Sequence, residues 1–300
     1  MNISIAGASG FVGKALTRML LEKGHTVTGL GTSRSHPLQS VPNFSWISAD
    51  TTRPGAWQES LSAADAVVNL AGRTIFKRWT RAYKSQLVES RQLTTRHIVE
   101  AMTGSSQTLI STSAVGYYGN RGEETLIETS PPGEDFLARL SVDWEQEALA
   151  GESRGVRVAI LRFGVVLGTG GGALAQMLPA FRAFAGGPIG SGRQWFAWIH
   201  MDDLLAAIGF LLENGKAHGP YNACSPGMVR QRDFASTLGS VLGRTALVPV
   251  PSLALRLLLG EMAGVLLASQ RAKPERLIED GFSFRFADVE HALADLVSRA

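Results

Sequence analysis

Short apolar runs and helical stripes alternate along this chain from its first residue. Ile3 and Ile5 alternate as a strand should, whereas Val12, Ala15, Leu16, Met19 and Leu20 fall on one face of a helix that Gly24 stops. Strand-like runs recur at residues 26–30, 44–48, 66–71, 108–113 and 156–161, separated by segments long enough for helices. Two of those segments carry clear apolar faces: Leu87, Thr94, Ile98 and Met102 in 85–102, and Leu137, Leu140, Trp144 and Ala148 in a helix ending near Leu149. Alternating β and α elements predict an α/β fold, a doubly wound parallel sheet with helices on both faces.

The rhythm changes at 168–172 and again across 186–192, where closely spaced glycines predict loops near a bound cofactor. Helical spacing returns at 204–212, residues 220–223 read as a last strand, and from about Gln231 the pattern is mostly helical. Two units are therefore expected: residues 1–225, with the loops of 168–195 contributing to a substrate cleft, and a small, mainly helical lobe over 226–300. The most apolar stretch of that lobe, 253–268, is too short to span a bilayer and contains Arg256 and Glu261. It is expected to be a buried helix.

The first strand runs into Gly7-Ala-Ser9-Gly10-Phe11-Val12-Gly13 and then straight into the first helix. Gly7 suits a tight turn, Gly10 a close approach of backbone to a diphosphate, and Gly13 close packing of helix on strand. An anion placed there meets free N–H groups at the helix N-terminus. The strand before, the helix after and the position in the chain set this triplet apart from a chance spacing. It nominates Gly7, Ser9, Gly10, Phe11, Val12 and Gly13 as dinucleotide-binding residues. The end of the second strand then selects the dinucleotide, because a carboxylate there takes the ribose hydroxyls and a cation takes a 2′-phosphate. No Asp or Glu lies between Glu22 and Asp50, whereas Thr32, Ser33 and Arg34 offer hydroxyls and a guanidinium, which favours NADP(H) over NAD(H). Asp50 either accepts a hydrogen bond from the adenine or caps the turn that follows it.

Composition acts mainly by exclusion. At 45% hydrophobic and 18% charged over 300 residues, the chain can bury one substantial core and a smaller lobe. The net charge of +3 comes from dispersed arginines with no block of like charges, which argues against a nucleic-acid partner. Cys224 is the single cysteine, so neither an intrachain disulfide nor a cysteine-rich metal site can form. The six histidines show no ligand spacing, and no metal is expected. A strand that begins at Met1 leaves no room for a leader before the fold, so the expectation is a cytoplasmic protein with no membrane partner.

Together with Val67-Val-Asn-Leu-Ala-Gly72, Thr112-Ser-Ala-Val-Gly-Tyr-Tyr-Gly119 and Trp198-Ile-His-Met-Asp-Asp-Leu204, the glycine motif resembles the extended branch of the short-chain dehydrogenase/reductase superfamily. Arg78-Trp79-Thr80, Ser90-Arg91, Gly171-Gly-Ala-Leu, Met177-Leu-Pro, Gly186-Gly-Pro-Ile-Gly and Gly281-Phe-Ser-Phe are similar to its atypical subgroup of epimerase family proteins. In that subgroup a short C-terminal domain of unassigned function follows the nucleotide fold. The resemblance implies a Rossmann-type sheet and bound NADP(H), with Leu70, Ala71 and Gly72 along the adenosine and ribose side and Val166 near the nicotinamide. It also places Arg91 where extended members carry an active-site asparagine. There it either pairs with a phosphate or an anionic substrate, or is a salt-bridged helix arginine.

The superfamily's usual chemistry rests on Tyr-x-x-x-Lys, in which lysine eases proton transfer by the tyrosine. Tyr83, Tyr117, Tyr118 and Tyr221 are followed at that offset by Leu87, Arg121, Gly122 and Ser225. Residues 136–145 stand where the motif is expected, and Ala114 stands where the family's catalytic serine or threonine belongs, with Ser113 one place earlier. The candidate catalysts are therefore Ser113, Tyr117 and Tyr118, with Arg121 close enough in sequence to favour a phenolate and one of the two tyrosines facing the pocket. Each also has a structural reading, as a strand-end hydroxyl or a buried ring. His200 is expected to make a structural hydrogen bond while Asp202 or Asp203 caps a helix. Trp195, Phe196 and Trp198 either line an apolar pocket or close the core. These features lead to an expected NADP(H)-binding oxidoreductase acting on a small carbonyl or alcohol compound. The alternative is a non-catalytic NADP(H)-dependent sensor whose partner is a protein.

Overall fold

Each apolar run becomes a strand in the computed structural model, which describes residues 1–104 and 106–300. The first half contains β1 (Asn2–Ala6), α1 (Phe11–Glu22), β2 (Thr26–Gly31), β3 (Phe44–Ser48), α2 (Glu59–Ser62), β4 (Ala66–Asn69), α3 (Arg81–Ala101), β5 (Thr108–Ala114), β6 (Thr125–Leu126) and α4 (Phe136–Leu149). Then come β7 (Arg157–Phe163), β8 (Val165–Leu167), α5 (Gly172–Arg182), β9 (Trp195–Phe196), β10 (Trp198–His200), α6 (Met201–Glu213) and β11 (Gly219–Ala223). The last part holds β12 (Val229–Arg230), α7 (Gln231–Val241), α8 (Ser252–Leu259), α9 (Ala263–Leu267), β13 (Arg271–Ala272), α10 (Glu275–Glu279) and α11 (Val289–Ser298).

The main sheet runs β11-β7-β5-β4-β1-β2-β3 and every pairing is parallel. Both faces are covered, so alternate residues of one strand feed two cores. Ile3, Ile5, Val27, Val68, Ile110 and Leu161 pack with Leu16, Leu20, Leu204 and Ile208 of α1 and α6. Leu30, Val67, Leu109, Val158 and Ile160 pack with Ile98 and Val99 of α3. This two-sided burial explains why the strands read as nearly unbroken apolar runs. Strand order reverses between β1 and β4, and the crevice beyond the carboxyl ends of these strands is where doubly wound sheets bind ligands.

The last seventy-five residues interlock with the sheet. Leu277 and Phe282 join the core under α1 and α6. Phe234, Leu238, Phe286, Leu293 and Leu296 surround Leu167 and Trp198. β13 pairs in parallel with β6. One expectation is overturned here. Residues 253–268 do not form a buried helix: α8 ends at Gly260, whose φ of +62° a β-carbon would strain, a short 3-10 turn follows, and α9 starts afresh. On α8 only Leu255 turns inward, while Leu253, Leu257 and Leu258 stand in solvent.

Candidate functional site

The glycine turn is built by close packing. Gly7 has φ +83°, and a β-carbon on it would lie 2.9 Å from the carbonyl carbon of Leu70. On Gly13 it would lie 2.2 Å from the Gly7 carbonyl oxygen, so helix and strand meet at a separation only glycine permits. Gly10 donates its N–H to that same carbonyl at 2.9 Å, closing the turn. No side chain caps α1, which leaves its first N–H groups to an anion. The Phe11 ring carries the second glycine loop. β-carbons on Gly168, Gly171 and Gly172 would come within 2.8, 2.6 and 2.7 Å of it. That loop therefore lies against the phosphate turn.

On one side of the turn, Thr32, Ser33 and Arg34 are exposed directly after β2. Trp46 donates its indole N–H to the Ser33 carbonyl at 3.0 Å, and the buried His36 ring stacks on Trp46 with its Nε2 3.3 Å from the Ala8 carbonyl. Burial pulls the His36 pKa down. Asp50 caps its turn: its Oδ1 accepts from the N–H of Thr52 at 3.1 Å and from its hydroxyl at 2.6 Å. The hydroxyl bond first, and the backbone bond with it, hold this carboxyl below the usual range.

On the other side run half-buried Leu70 and Ala71, and then Gly72. Asn69 sets their path, since it is buried, accepts from the Ala71 N–H at 3.2 Å and donates to the Thr95 hydroxyl at 2.8 Å. Arg91 reaches back from α3 to Gly72, where a β-carbon would sit 3.2 Å from its Cζ. Its guanidinium donates to the carbonyls of Leu87 at 3.2 Å and Arg73 at 3.1 Å, and faces the Trp144 ring at 5.2 Å. It meets no carboxylate among the described residues, so the salt-bridged reading does not hold. Burial brings its pKa down to about 10, which still leaves it charged at neutrality. Val166, half-buried, lies on β8 opposite Ile199 of β10.

Ser113 and Tyr118 do not line the cleft. Both are buried in one polar network whose centre is Arg162. Ser113 donates to Glu145 Oε1 at 2.6 Å, and Arg162 grips the same carboxylate with two bonds of 2.8 and 2.7 Å. A third guanidinium nitrogen donates to the Tyr118 hydroxyl at 3.0 Å and to the Glu128 carbonyl at 3.1 Å. The Tyr118 hydroxyl donates in turn to Asn222 Oδ1 at 2.8 Å, and the Asn222 N–H donates to the Glu128 carboxylate at 2.9 Å. Burial pushes the Tyr118 phenol up. For Arg162, burial opposes the charge, but the bonds to Glu145 outweigh it and the pKa is raised. Of the two tyrosines, Tyr117 is the one left half-exposed. The cation beside it is Arg162, 3.5 Å from its ring centre. Arg121 is tied to Glu124 at 2.7 and 2.9 Å and to the Pro131 carbonyl.

Sequence reasoning passed over Glu145, Arg162, Asn222 and Glu128. A signal existed for the first two, because Arg162 interrupts an apolar strand run and Glu145 adjoins Trp144 on a packed helix. A buried arginine demands a buried acid.

Residues 3–224 match the family described as NAD dependent epimerase/dehydratase, and residues 250–296 match a domain of unknown function, DUF1731. The chain belongs to the NAD-dependent epimerase/dehydratase family. Among relatives, the chloroplastic epimerase family protein SDR39U1 homolog of Arabidopsis thaliana is 41% identical over 298 residues, covering 98% of this chain and 86% of that one. Epimerase family protein YfhF of Bacillus subtilis is 37% identical, covering 99% and 98%. The crystal structure of human epimerase family protein SDR39U1 (isoform 2) with NADPH superposes with a TM-score of 0.87 at 32% identity over 100% of both chains.

In this member of the epimerase/dehydratase family residues near the start of β13 pack against the segment that follows β5 and against Trp195. Ser269 and Gln270 bond to Gly122 at 2.7 Å and Gly119 at 3.2 Å, and Trp195 lies between Arg230 and Arg271 at 4.4 and 4.6 Å. Trp195 and Phe196 are half-buried, whereas Trp198 belongs to the core. The cap of α6 is His200 itself, which accepts from the Asp202 N–H at 3.0 Å. Asp203 accepts instead from the N–H groups of Arg285 and Phe286, both at 2.9 Å. His200, Asp202 and Asp295 come together, but Arg299 already supplies their cation, at 3.1 and 2.8 Å from the two carboxylates.

Proposed function

We propose that the chain is an NADP(H)-binding atypical short-chain dehydrogenase/reductase that oxidises or reduces a small alcohol or carbonyl compound. The observation that carries this reading is an uncapped helix N-terminus at the glycine turn, with an unpaired cation nearby. α1 offers its free N–H groups there, and Arg91, without an acid partner among the described residues, packs on Gly72, two residues beyond the Leu70 that Gly7 touches. The residues present fit a dinucleotide. Gly7, Gly10 and Gly13 admit the diphosphate, Arg91 balances its charge, and Thr32, Ser33 and Arg34 receive a 2′-phosphate. The NADPH held by the human relative supports the same choice.

A bound dinucleotide supplies the hydride; the chain must supply a proton at the substrate oxygen. Tyr117 fits that role. Its ring is held against the Arg162 guanidinium, and its hydroxyl, unlike that of Tyr118, is not spent on a partner among the described residues. Arg162 is itself fixed by Glu145, which Ser113 holds in place, so these residues act as positioning residues for Tyr117.

The test starts with cofactor-stripped protein titrated with NADPH and NADH, read by nicotinamide fluorescence. Arg34→Ala should weaken NADPH by roughly tenfold or more, the worth of a charge-assisted hydrogen bond, and leave NADH nearly unchanged. Equal losses would remove Arg34 from the 2′-phosphate site. A carbonyl screen with the NADPH complex follows, in which Tyr117→Phe should lower turnover by about a hundredfold. Tight NADPH binding with no turnover of any compound would favour the sensor.

A further inference from the structure

Five of the ten large hydrophobic side chains that stand exposed among the described residues fall within the twelve residues 247–258. α8 carries five leucines in eight residues and buries one. Leu253, Leu257 and Leu258 are 68%, 72% and 73% exposed, so they project into solvent rather than line a groove. A soluble helix normally turns such an i, i+4 stripe inward, and an exposed apolar cluster of this size marks a surface that something covers.

The charge around the cluster has one sign. No acidic residue occurs between Asp233 and Glu261, and Arg244 and Arg256 are exposed within that interval. Glu261 is already paired with Lys84. That pair joins the turn after α8 to the first turn of α3, and a β-carbon on Gly260 would sit 3.9 Å from Arg78 Nε in the loop that precedes α3. The loop repeats the same chemistry. Between Asp65 and Glu89 there are five cations and no acid, with Lys77, Arg78 and Arg81 exposed beside Phe76, itself 52% exposed.

We propose that α8 and the loop of residues 73–81 form one docking surface for an anionic lipid bilayer. Projecting leucines and a phenylalanine enter the acyl boundary while the flanking lysine and arginines meet lipid phosphates. A second copy of this chain fits worse, since an isologous contact would set the cationic rims against each other. A protein partner would need pockets for side chains that project this far, whereas fluid hydrocarbon needs none. The expectation of no membrane partner rested on spanning segments. No helix among the described residues is long and apolar enough to cross a membrane, but docking on one requires no such span. The loop starts at the Gly72 on which Arg91 packs, so docking would bring the cofactor cleft close to the bilayer and to substrates dissolved in it.

The experiment is co-sedimentation of the full chain with vesicles of phosphatidylcholine alone and of phosphatidylcholine mixed with phosphatidylglycerol, with and without added salt. Binding to the mixed vesicles only, weakened by salt, is expected. Leu257→Gln with Leu258→Gln should reduce the partition coefficient by about tenfold or more, and Lys77→Gln with Arg78→Gln by about fivefold per charge removed. All four side chains are exposed, and unchanged NADPH binding verifies that each variant is folded. Failure to bind the mixed vesicles, or equal binding to neutral ones, would overturn the proposal. So would light scattering that shows a dimer abolished by the leucine pair without any vesicle binding.

Discussion

Arg162 and Arg91 are both withdrawn from water, one at the end of β7 and one on α3, yet their charges are met in opposite ways. Arg162 has a bidentate carboxylate, a phenol and a carbonyl as partners, and every one of them is buried or sheltered. Arg91 has two carbonyls and an indole face, and no negative charge. A fully balanced buried cation holds a structure together, whereas one without a counter-charge is open to an anion that arrives from outside. Under the proposed function, the difference separates scaffold from binding site among residues that are chemically identical.

The sharpest way to break this comparison is to remove the anion from the balanced side. Glu145→Gln leaves Arg162 buried without a counter-charge and should cost about 3–5 kcal/mol of stability in urea denaturation. Combining Glu145→Leu with Arg162→Met should recover most of that loss, because the cost lies in the orphaned charge. A Glu145→Gln protein as stable as the parent would sink the distinction. The converse change, Arg91→Ala, should alter stability by less than about 1 kcal/mol. It should weaken NADPH and NADH alike by roughly ten- to a hundredfold. Loss of NADPH alone would move Arg91 to the 2′-phosphate, and unchanged affinity for both would return it to the scaffold.

The smallest expected effect is a pH slope. The His36 pKa is held below the ordinary histidine value, chiefly by burial under Ala8 and Trp46. The unfolded chain therefore binds a proton that the folded chain resists. Stability is complete above the ordinary value of about 6.5 and declines as pH falls through it toward the lower folded value. Urea midpoints measured on both sides of that value should show the decline, and His36→Gln should lessen it, since His25 and His200 are held down in the same direction. An unchanged slope would mean that another group carries the linkage.

The nucleotide half was legible because its physics is local. Gly7, Gly10 and Gly13 answer to sterics within a few residues, and the strands declare themselves by apolar runs buried on both faces. The polar network around Arg162 was not legible, because it is assembled from distant parts. Ser113 meets Glu145 across 32 residues and Tyr118 meets Asn222 across 104. No local pattern distinguishes the buried Tyr118 from the half-exposed Tyr117 one residue earlier. α8 misled for another reason, since mean apolarity predicts burial only where the rest of the fold offers a surface to pack on.

The pairing of β13 with β6 has a consequence for the order in which this chain matures. β6 at Thr125–Leu126 has Arg271–Ala272 as its neighbour, and Asn222 donates to the Lys273 carbonyl at 2.9 Å. The wall behind Tyr117 therefore waits for residues far along the chain from β6, made long after β1 to β5 have emerged and begun to pair. A nascent chain can shape its glycine turn early, but it completes the surroundings of Tyr117 only once residues 271–273 have emerged and paired with β6.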